Sequence, residues 1–139
     1  MKRLLFIYLW MMMMMNAGAQ TPRELQETAK SFMKQGDYTN AVLVLNRARQ
    51  MAPNAGPRLK DLTLALYYMG EYSKALEALQ PVVDGEQADD QSFQLAANIH
   101  VAMQQPKEAE KVYKKGLKKF PASGMLYNGY GELLWAQKQ

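Results

Sequence analysis

Residues 36–41 read GDYTNA, residues 70–75 read GEYSKA and residues 104–109 read QQPKEA, so that Ala41, Ala75 and Ala109 recur at one constant interval. In the first two stretches a glycine, an acidic residue and a tyrosine precede the alanine at the same distances. A fixed period of roughly 34 residues is typical of stacked helical hairpins, because each hairpin is too small to bury its apolar face alone. The period therefore predicts an all-α array in which every unit packs on its neighbours.

The same period extends to the first predicted helix of each unit. Large, mainly apolar side chains recur at two positions of that helix, seven residues apart: Leu25, Leu59, Phe93 and Tyr127, then Phe32, Leu66, His100 and Leu134. Small side chains lie between them, at Ala29, Thr63, Ala97 and Gly131. Because these positions share one helical face, the small residues are predicted where two helix axes approach closely.

This pattern resembles the tetratricopeptide repeat family, whose unit is two antiparallel helices, A and B, in about 34 residues. The resemblance implies a right-handed superhelix of about three and a half helix-turn-helix units within residues 20–139. The units are predicted at 22–55, 56–89, 90–123 and, in part, 124–139. The predicted helices, A and B in turn, are Pro22–Gln35, Tyr38–Met51, Gly56–Met69, Tyr72–Val83, Asp90–Met103, Pro106–Lys119 and Gly124–Gln137.

Two stretches depart from the family pattern. Gln104-Gln105-Pro106 stands where the family favours glycine, an acid and an aromatic residue, and Pro106 is predicted to begin helix B, where its missing N–H is tolerated. Residues 84–90 read DGEQADD and carry four acids. They lack the alternating ligands of a calcium loop and are interpreted as a loose, solvated junction whose acids favour the next helix N-terminus.

The N-terminus has the features of a secretory signal peptide over residues 1–19. Lys2 and Arg3 precede an apolar run, Leu4–Met15, and Ala17-Gly18-Ala19 offers small residues for cleavage before Gln20. The run is shorter than the roughly 20 residues of a membrane-spanning helix. Export to a periplasm or secretion is predicted, with an uncleaved anchor as the alternative. The methionines of the run are interpreted as leader hydrophobes rather than as a copper site.

Composition argues against catalysis. The chain has no cysteine and one histidine, His100, so neither a histidine-paired thiol nor a multi-histidine metal site can be assembled. No cofactor, metal or catalytic residue is predicted, and His100 is interpreted as a hydrogen-bonded residue between helices. Without Lys2 and Arg3, 15 of the 17 basic residues remain against 13 acids. A net charge of +2 is too small to indicate nucleic acid as a partner.

The resemblance to the family places a partner-binding site in the concave groove lined by the A helices. The groove residues implied by position are Gln26, Lys30, Lys34, Lys60, Leu64, Tyr67, Gln94, Asn98, Asn128 and Trp135, with Met33, Tyr68, Val101 and Glu132 beside them. Their amides, lysines and aromatic rings suit a protein or peptide partner. One subclass of the family grips a C-terminal carboxylate. Its positions read Gln26, Lys30, Asp61, Gln91 and Leu95 here, which disfavours that mode because Asp61 would repel the carboxylate.

Two further surfaces leave alternatives open. The lysines of Lys107–Lys119 form either a solvated face or a contact for anionic lipid heads, lipopolysaccharide or an acidic partner. The last helix is apolar on more than one side, which is unusual at the end of an array. The chain is therefore either a scaffold that can self-associate through this helix or the N-terminal repeat portion of a longer envelope enzyme or sensor, with its active domain beyond Gln139.

Overall fold

The computed structural model describes residues 18–138, and these form seven α-helices with no strand among them. The signal-peptide prediction falls almost entirely outside the described residues. The helices are α1 (Pro22–Lys34), α2 (Tyr38–Met51), α3 (Gly56–Tyr68), α4 (Tyr72–Val83), α5 (Asp90–Ala102), α6 (Pro106–Lys119) and α7 (Gly124–Ala136). The predicted all-α repeat fold is confirmed, although each A helix ends one residue earlier than predicted.

The packing of the helices divides the array into two layers. Each A helix packs on the B helix that follows it, in the pairs α1–α2, α3–α4 and α5–α6. Successive A helices also contact each other, whereas within residues 18–138 the B helices α2, α4 and α6 make no contact with one another. Because the A helices are close together and the B helices are splayed apart, the array curves with the A helices on its concave side.

Small residues lie where the two layers meet. Ala41, Ala75 and Ala109 are completely buried on the B helices. Thr63 is completely buried on α3, and its hydroxyl donates to the Leu59 carbonyl at 2.7 Å, so its polar group is satisfied within the helix. The close approach of helix axes predicted from the period is therefore present in the first three units.

The prediction for the fourth unit was wrong at Gly131. This residue is exposed, and a Cβ built on it would meet nothing within 4 Å. Tyr127 and Leu134, on the same face of α7, are 56% and 38% exposed. The corresponding face of α1, α3 and α5 packs on a B helix, and the described residues contain no B helix after α7. Leu126 and Leu133, on another side of α7, are buried in the core instead.

The turn between helices A and B contains a residue with positive φ in each of the first three units. This residue is glycine in two units and glutamine in the third. Gly36 and Gly70 both have φ of 76°, and Gln104 at the third turn has φ of 58°. Gln104 thus occupies a backbone region that favours glycine, at a strain of about 1–2 kcal/mol. Pro106 begins α6 directly afterwards, as predicted.

The junction between units two and three is more ordered than the composition of residues 84–90 predicts. Asp84 accepts from Lys115 at 2.9 Å, and Asp90 accepts from the Ser123 hydroxyl at 2.8 Å. Gln87 accepts from the Gly56 N–H at 2.7 Å and so ties the junction back to the start of α3. Asp84 and Asp90 therefore have partners elsewhere in the array, while Asp84 and Glu86 are exposed to solvent as predicted. Sequence spacing alone does not reveal such pairs. Asp89 caps α5, which confirms that acids of this stretch favour the next helix N-terminus.

Candidate partner-binding groove

The predicted groove residues all lie on the accessible side of the A helices. None of the ten is buried in the structure. Lys34, Asn98, Asn128 and Trp135 are exposed, and the other six are partly exposed. All ten belong to A helices, and successive A helices contact each other. That the ten residues form one binding surface stays a prediction.

Two of the three lysines predicted for this face pair with neighbouring acids. Lys60 lies 2.5 Å from Asp89, which precedes α5, so this ion pair links units two and three. Lys30 lies 3.1 Å from Glu27 one turn earlier on α1. Two of the three predicted groove lysines thus already have a carboxylate partner, which lowers the positive charge they present to a ligand.

A side-chain amide of the groove is also hydrogen-bonded to a neighbouring acid. The side-chain N–H of Gln26 donates to Asp61 at 2.6 Å and joins α1 to α3. Asp61, the residue that disfavours a carboxylate-binding mode, is therefore part of the groove's own hydrogen bonding. This bond joins the A helices of units one and two, as the Lys60–Asp89 pair joins units two and three.

Asp89 has two structural roles at the start of α5. Its carboxylate caps the helix by accepting from the Ser92 N–H at 2.8 Å, and it also accepts from Lys60. Burial acts to raise the pKa of Asp89, but the hydrogen bonds from Lys60 and Ser92 outweigh it and hold the pKa below its ordinary value. The charged form is therefore favoured in the folded protein.

This arrangement predicts an acid-dependent loss of stability. Because the folded-state pKa of Asp89 is lowered, its contribution is present above about pH 4 and is lost as the pH falls through the lowered value. We expect Asp89→Asn, which keeps a capping oxygen, to reduce the free energy of unfolding by about 0.5–1 kcal/mol at neutral pH and by less in acid. Urea unfolding at neutral and acidic pH measures both. An equal reduction at both pH values would contradict the role of the ion pair.

Asn98 has a structural contact as well as a groove position. It accepts from the hydroxyl of Tyr113, a buried residue of α6, at 3.3 Å. Burial raises the pKa of the Tyr113 phenol, and the carboxylate of Glu132 adds to the effect. A substitution at Asn98 would thus disturb the core, so residues without such a contact are better probes of binding.

Four tyrosines form a continuous aromatic strip along units one and two. The Tyr38 and Tyr68 rings are stacked with centroids 5.0 Å apart. Tyr67 lies between Tyr68 and Tyr72, at 5.6 Å from each ring centroid. Tyr68 is 57% exposed, so this strip, the tyrosine strip, presents ring surface at the end of the groove where the A helices finish.

One apolar residue per unit continues this surface at a single repeat position. The row, called the apolar row, consists of Met33, Tyr67, Val101 and Trp135, which are evenly spaced along the chain. Met33 and Tyr67 pack partly against the core, while Val101 and Trp135 are 46% and 67% exposed. The groove therefore combines an apolar row with paired polar groups.

The basic helix α6 is less charged than its composition suggests. Lys111 pairs with Glu108 at 2.7 Å and Lys114 with Glu110 at 2.7 Å. Lys115 pairs with an acid of the preceding unit, as described above. Ion pairs within the chain therefore account for three of the six lysines of α6. These three lysines need no anionic ligand to explain them.

The remaining observations concern the histidine, metal binding and membrane spans. His100 is hydrogen-bonded through Nδ1 to the Gln105 side chain at 2.9 Å, which joins the end of α5 to the residue before α6. In residues 18–138 no group of acidic or histidine side chains is arranged to hold a metal ion. Over the same residues, no helix is both long and apolar enough to cross a membrane.

Sequence reasoning missed the partners that modify the groove. Asp89 was interpreted as one of the junction acids that favour the next helix N-terminus, but its bond to Lys60, which spans 29 residues of sequence, was not predicted. Tyr38 was noted only as part of the repeat, and its stacking on Tyr68 of the next unit was not predicted.

Comparison with protein families agrees with the geometry. Two family models, both described as tetratricopeptide repeat, match residues 32–99 and 95–139. Together they span the last six of the seven helices and the end of the first. No curated protein sequence matches the chain.

Solved structures share the fold at low sequence identity. The first TPR domain of Spaghetti (RPAP3), bound to the HSP90 peptide SRMEEVD, is 18% identical with a TM-score of 0.75, over 86% of this chain and 95% of that one. The Sgt2 TPR domain from Aspergillus fumigatus is 18% identical with a TM-score of 0.75, over 84% and 79%. A tetratricopeptide repeat protein from Parabacteroides merdae is 20% identical with a TM-score of 0.75, over 86% and 48%.

Proposed function

Since this chain belongs to the tetratricopeptide repeat family, we propose that it is a non-catalytic scaffold that binds a protein or peptide through its concave groove. The observation that carries the proposal is the accessible face of the A helices. It presents one apolar side chain per unit, and Val101 and Trp135 are 46% and 67% exposed. Exposed apolar residues in a preformed concave surface are typical of a binding site.

The internal bonding of the groove supports binding by a preformed shape. Gln26 and Asp61 tie α1 to α3, and Lys60 and Asp89 tie α3 to the start of α5. A surface that is fixed beforehand loses little conformational entropy when a partner binds. The RPAP3 domain, which shares the fold, has a peptide bound, and this supports a peptide ligand for the groove of this chain as well.

The test is a selection of peptide ligands followed by a comparison of two surfaces. Peptides of about 15 random residues would be selected on the purified protein and their affinities measured for a groove variant, Tyr68→Ala with Trp135→Ala. Both side chains are more than half exposed and neither is needed in the core. We expect a loss of affinity of about tenfold or more, because aromatic anchors dominate such interfaces.

The matched control lies on the convex side. Leu43 and Met51 of α2 are 63% and 50% exposed, so Leu43→Ala with Met51→Ala removes comparable apolar surface outside the groove. The selected peptides should bind this variant as tightly as the parent protein. Peptides that lose affinity only with the convex variant would refute the groove as the binding site.

We also propose that the protein is exported, with residues 1–19 as a cleaved signal peptide. The charged start, the short apolar run and the small residues before Gln20 support this. N-terminal sequencing of the protein from its own cells tests it. A mature chain that begins at Gln20 is expected, and one that begins at Met1 would contradict cleavage.

A second candidate function is self-association through α7. It is favoured by the exposed face of Tyr127 and Leu134, which corresponds to the helix-packing face of the other A helices. We expect the mass measured by light scattering to rise with protein concentration, and Leu134→Lys to keep the protein monomeric because it places a charge in the contact. A monomer mass at every concentration would exclude this candidate.

A further inference from the structure

We infer that two copies of the chain pair through α7 in an antiparallel, two-fold contact that covers Trp135, so that self-association closes the C-terminal end of the groove to its ligand. The inference rests on the proposed scaffold function and names a regulator of the same site. Three observations carry it: the face that α7 leaves exposed, the symmetric order of residues along that face, and the polar surface at the opposite end of the array.

The exposed face of α7 is one that the other A helices bury. At the corresponding positions, where the first three A helices pack on a B helix, the buried residues are Leu25, Ala29, Leu59, Thr63, Phe93 and Ala97. On α7 these positions are Tyr127 and Gly131, and both are exposed. Together with Leu134 and Trp135, which are 38% and 67% exposed, they form an apolar surface on adjacent turns. Removing such a surface from water is favourable, so a partner is expected here.

The residues of this face are placed evenly about Gly131. Tyr127 lies four residues before it and Trp135 four residues after it. Both therefore lie on the same side of the helix, about 6 Å from Gly131 in opposite directions along the axis. In an antiparallel pair with its two-fold axis at Gly131, Tyr127 of each copy meets Trp135 of the other. A second copy of α7 thus offers a surface that complements the first.

The centre of the face can accept a closely packed helix. A Cβ built on Gly131 meets nothing within 4 Å, so no atom of the chain's own core occupies the space above it. Glu132 is the only charged residue of α7, and it lies about a quarter of a turn away from Gly131. Lys138 follows the end of the helix, outside the stretch between Tyr127 and Trp135. Pairing at Gly131 therefore brings no like charges together at its centre.

The opposite end of the array does not offer α7 a comparable partner surface. On α3, Leu62 and Ala65 are buried, whereas one repeat earlier the same positions of α1 are Thr28 and Ser31, which are partly and fully exposed. Terminal units with a polar outer face do not extend an array. Head-to-tail stacking, which would produce an open filament, is therefore disfavoured, and a closed pair through α7 is favoured.

Trp135 belongs both to this face and to the groove. It occupies the position of Met33 and Tyr67, which are partly buried against the core in their own units. This position therefore borders the packing face of an A helix as well as the groove. A second copy on α7 covers a side chain that the groove ligand would contact, so the two compete. A ligand that uses Trp135 must in turn favour the monomer, because the coupling is reciprocal.

The first experiment measures the mass of the purified protein by light scattering over a range of concentrations. The contact involves one helix face, so we expect a weak dimer, with the monomer prevailing at low micromolar concentration. Gly131→Glu and Gly131→Lys should each raise the dissociation constant of the dimer at least about tenfold, because like charges meet at the two-fold axis. The open space at Gly131 lets the monomer accept both substitutions.

Mixing the two variants tests the symmetry of the contact. An equimolar mixture of Gly131→Glu and Gly131→Lys should pair again, because residue 131 of one copy faces residue 131 of the other and the charges are now opposite. Leu43→Glu, on the exposed convex side, is the matched control and should pair like the parent protein. A parent protein that stays monomeric, a mixture that stays monomeric, or a loss of pairing in Leu43→Glu alone would overturn the inference.

The second experiment follows Trp135 itself. Trp10→Phe leaves Trp135 as the only tryptophan of the chain, so its fluorescence reports on this side chain alone. We expect quenching by acrylamide to decrease as the protein concentration rises through the range in which the dimer forms, and to stay constant when Gly131→Glu is added. A dimer in which Trp135 remains fully open to acrylamide would show that the contact does not cover the groove, and would contradict the inference.

The third experiment uses selected peptides whose affinity falls on Trp135→Ala. At a protein concentration about tenfold above the dissociation constant of the dimer, about a fifth of the chains are monomeric, so the apparent affinity should fall about fivefold. It should not fall in Gly131→Glu. If these peptides bind equally well at every protein concentration, the scaffold function stands and the inference is wrong. If no selected peptide is sensitive to the groove variant, the scaffold function fails, and the mass and Trp135 measurements alone decide on the pairing.

Discussion

Phe93→Ala is expected to lower the free energy of unfolding by about 3–5 kcal/mol, because it removes a large side chain from the centre of the core. Phe93 is 1% exposed, and its ring lies 6.0 Å from that of Phe120 in an edge-to-face contact. Its Cβ and Cγ also lie against α6 where Gly116 allows a close approach. Neither neighbour can fill the space without moving a helix. Urea unfolding of the variant and the parent measures the loss.

Tyr127→Ala is the matched control, since Tyr127 occupies the same position of the repeat in the next unit. Its side chain is 56% exposed, so we expect the truncation to change stability by less than about 1 kcal/mol. The difference between the two losses of unfolding free energy measures how much a B helix packed on this face contributes to stability. A loss of similar size in both would mean that the α7 face is covered in solution, and the description of this face as exposed would be wrong.

Gly129→Leu is expected to destabilise the protein by about 1–3 kcal/mol or more through overpacking. A Cβ at this position would lie 2.5 Å from the Tyr113 hydroxyl and 2.9 Å from its Cζ. Tyr113 cannot easily withdraw, because its ring is buried and stacked on Tyr130 with centroids 5.9 Å apart. Thermal or urea unfolding measures the effect.

Gly131→Leu, two residues further along α7, should instead stabilise the protein. Gly131 lies on α7 with nothing within 4 Å of a built Cβ, so Gly131→Leu gains helix propensity without a clash. We expect it to stabilise the helix by up to about 1 kcal/mol. If Gly129→Leu were tolerated as well as Gly131→Leu, the packing of α7 against α6 would have to differ from the structure.

The helices could be predicted from sequence because local rules agree with the period. Gly36 and Gly70 supply the positive φ that the turns need, and Pro106 begins a helix where its missing N–H is tolerated. The period failed on α7, where it was applied to Gly131, Tyr127 and Leu134. A residue is buried only if another helix packs against its face. The position of the residue in the repeat does not reveal whether such a helix is present.

The accessibility of the predicted groove residues could be predicted from the sequence, and their polar partners could not. The resemblance to the family implied that residues such as Tyr67 and Trp135 are accessible, and neither is buried in the structure. It could not show that Lys60 is held by Asp89, or that Asn98 accepts from a core tyrosine. Such pairs join residues of different helices, and their geometry depends on how the units stack.

The most direct test of the scaffold account is site-specific photo-crosslinking in the cells that make the protein. A photoreactive residue would be placed at Val101 in the groove or at Leu43 on the convex side, two positions that are 46% and 63% exposed. The account predicts a discrete adduct with a protein or peptide from position 101, absent from position 43 and lost when Tyr68 and Trp135 are replaced by alanine. Adducts from position 43 alone, or equally from both positions, would contradict it.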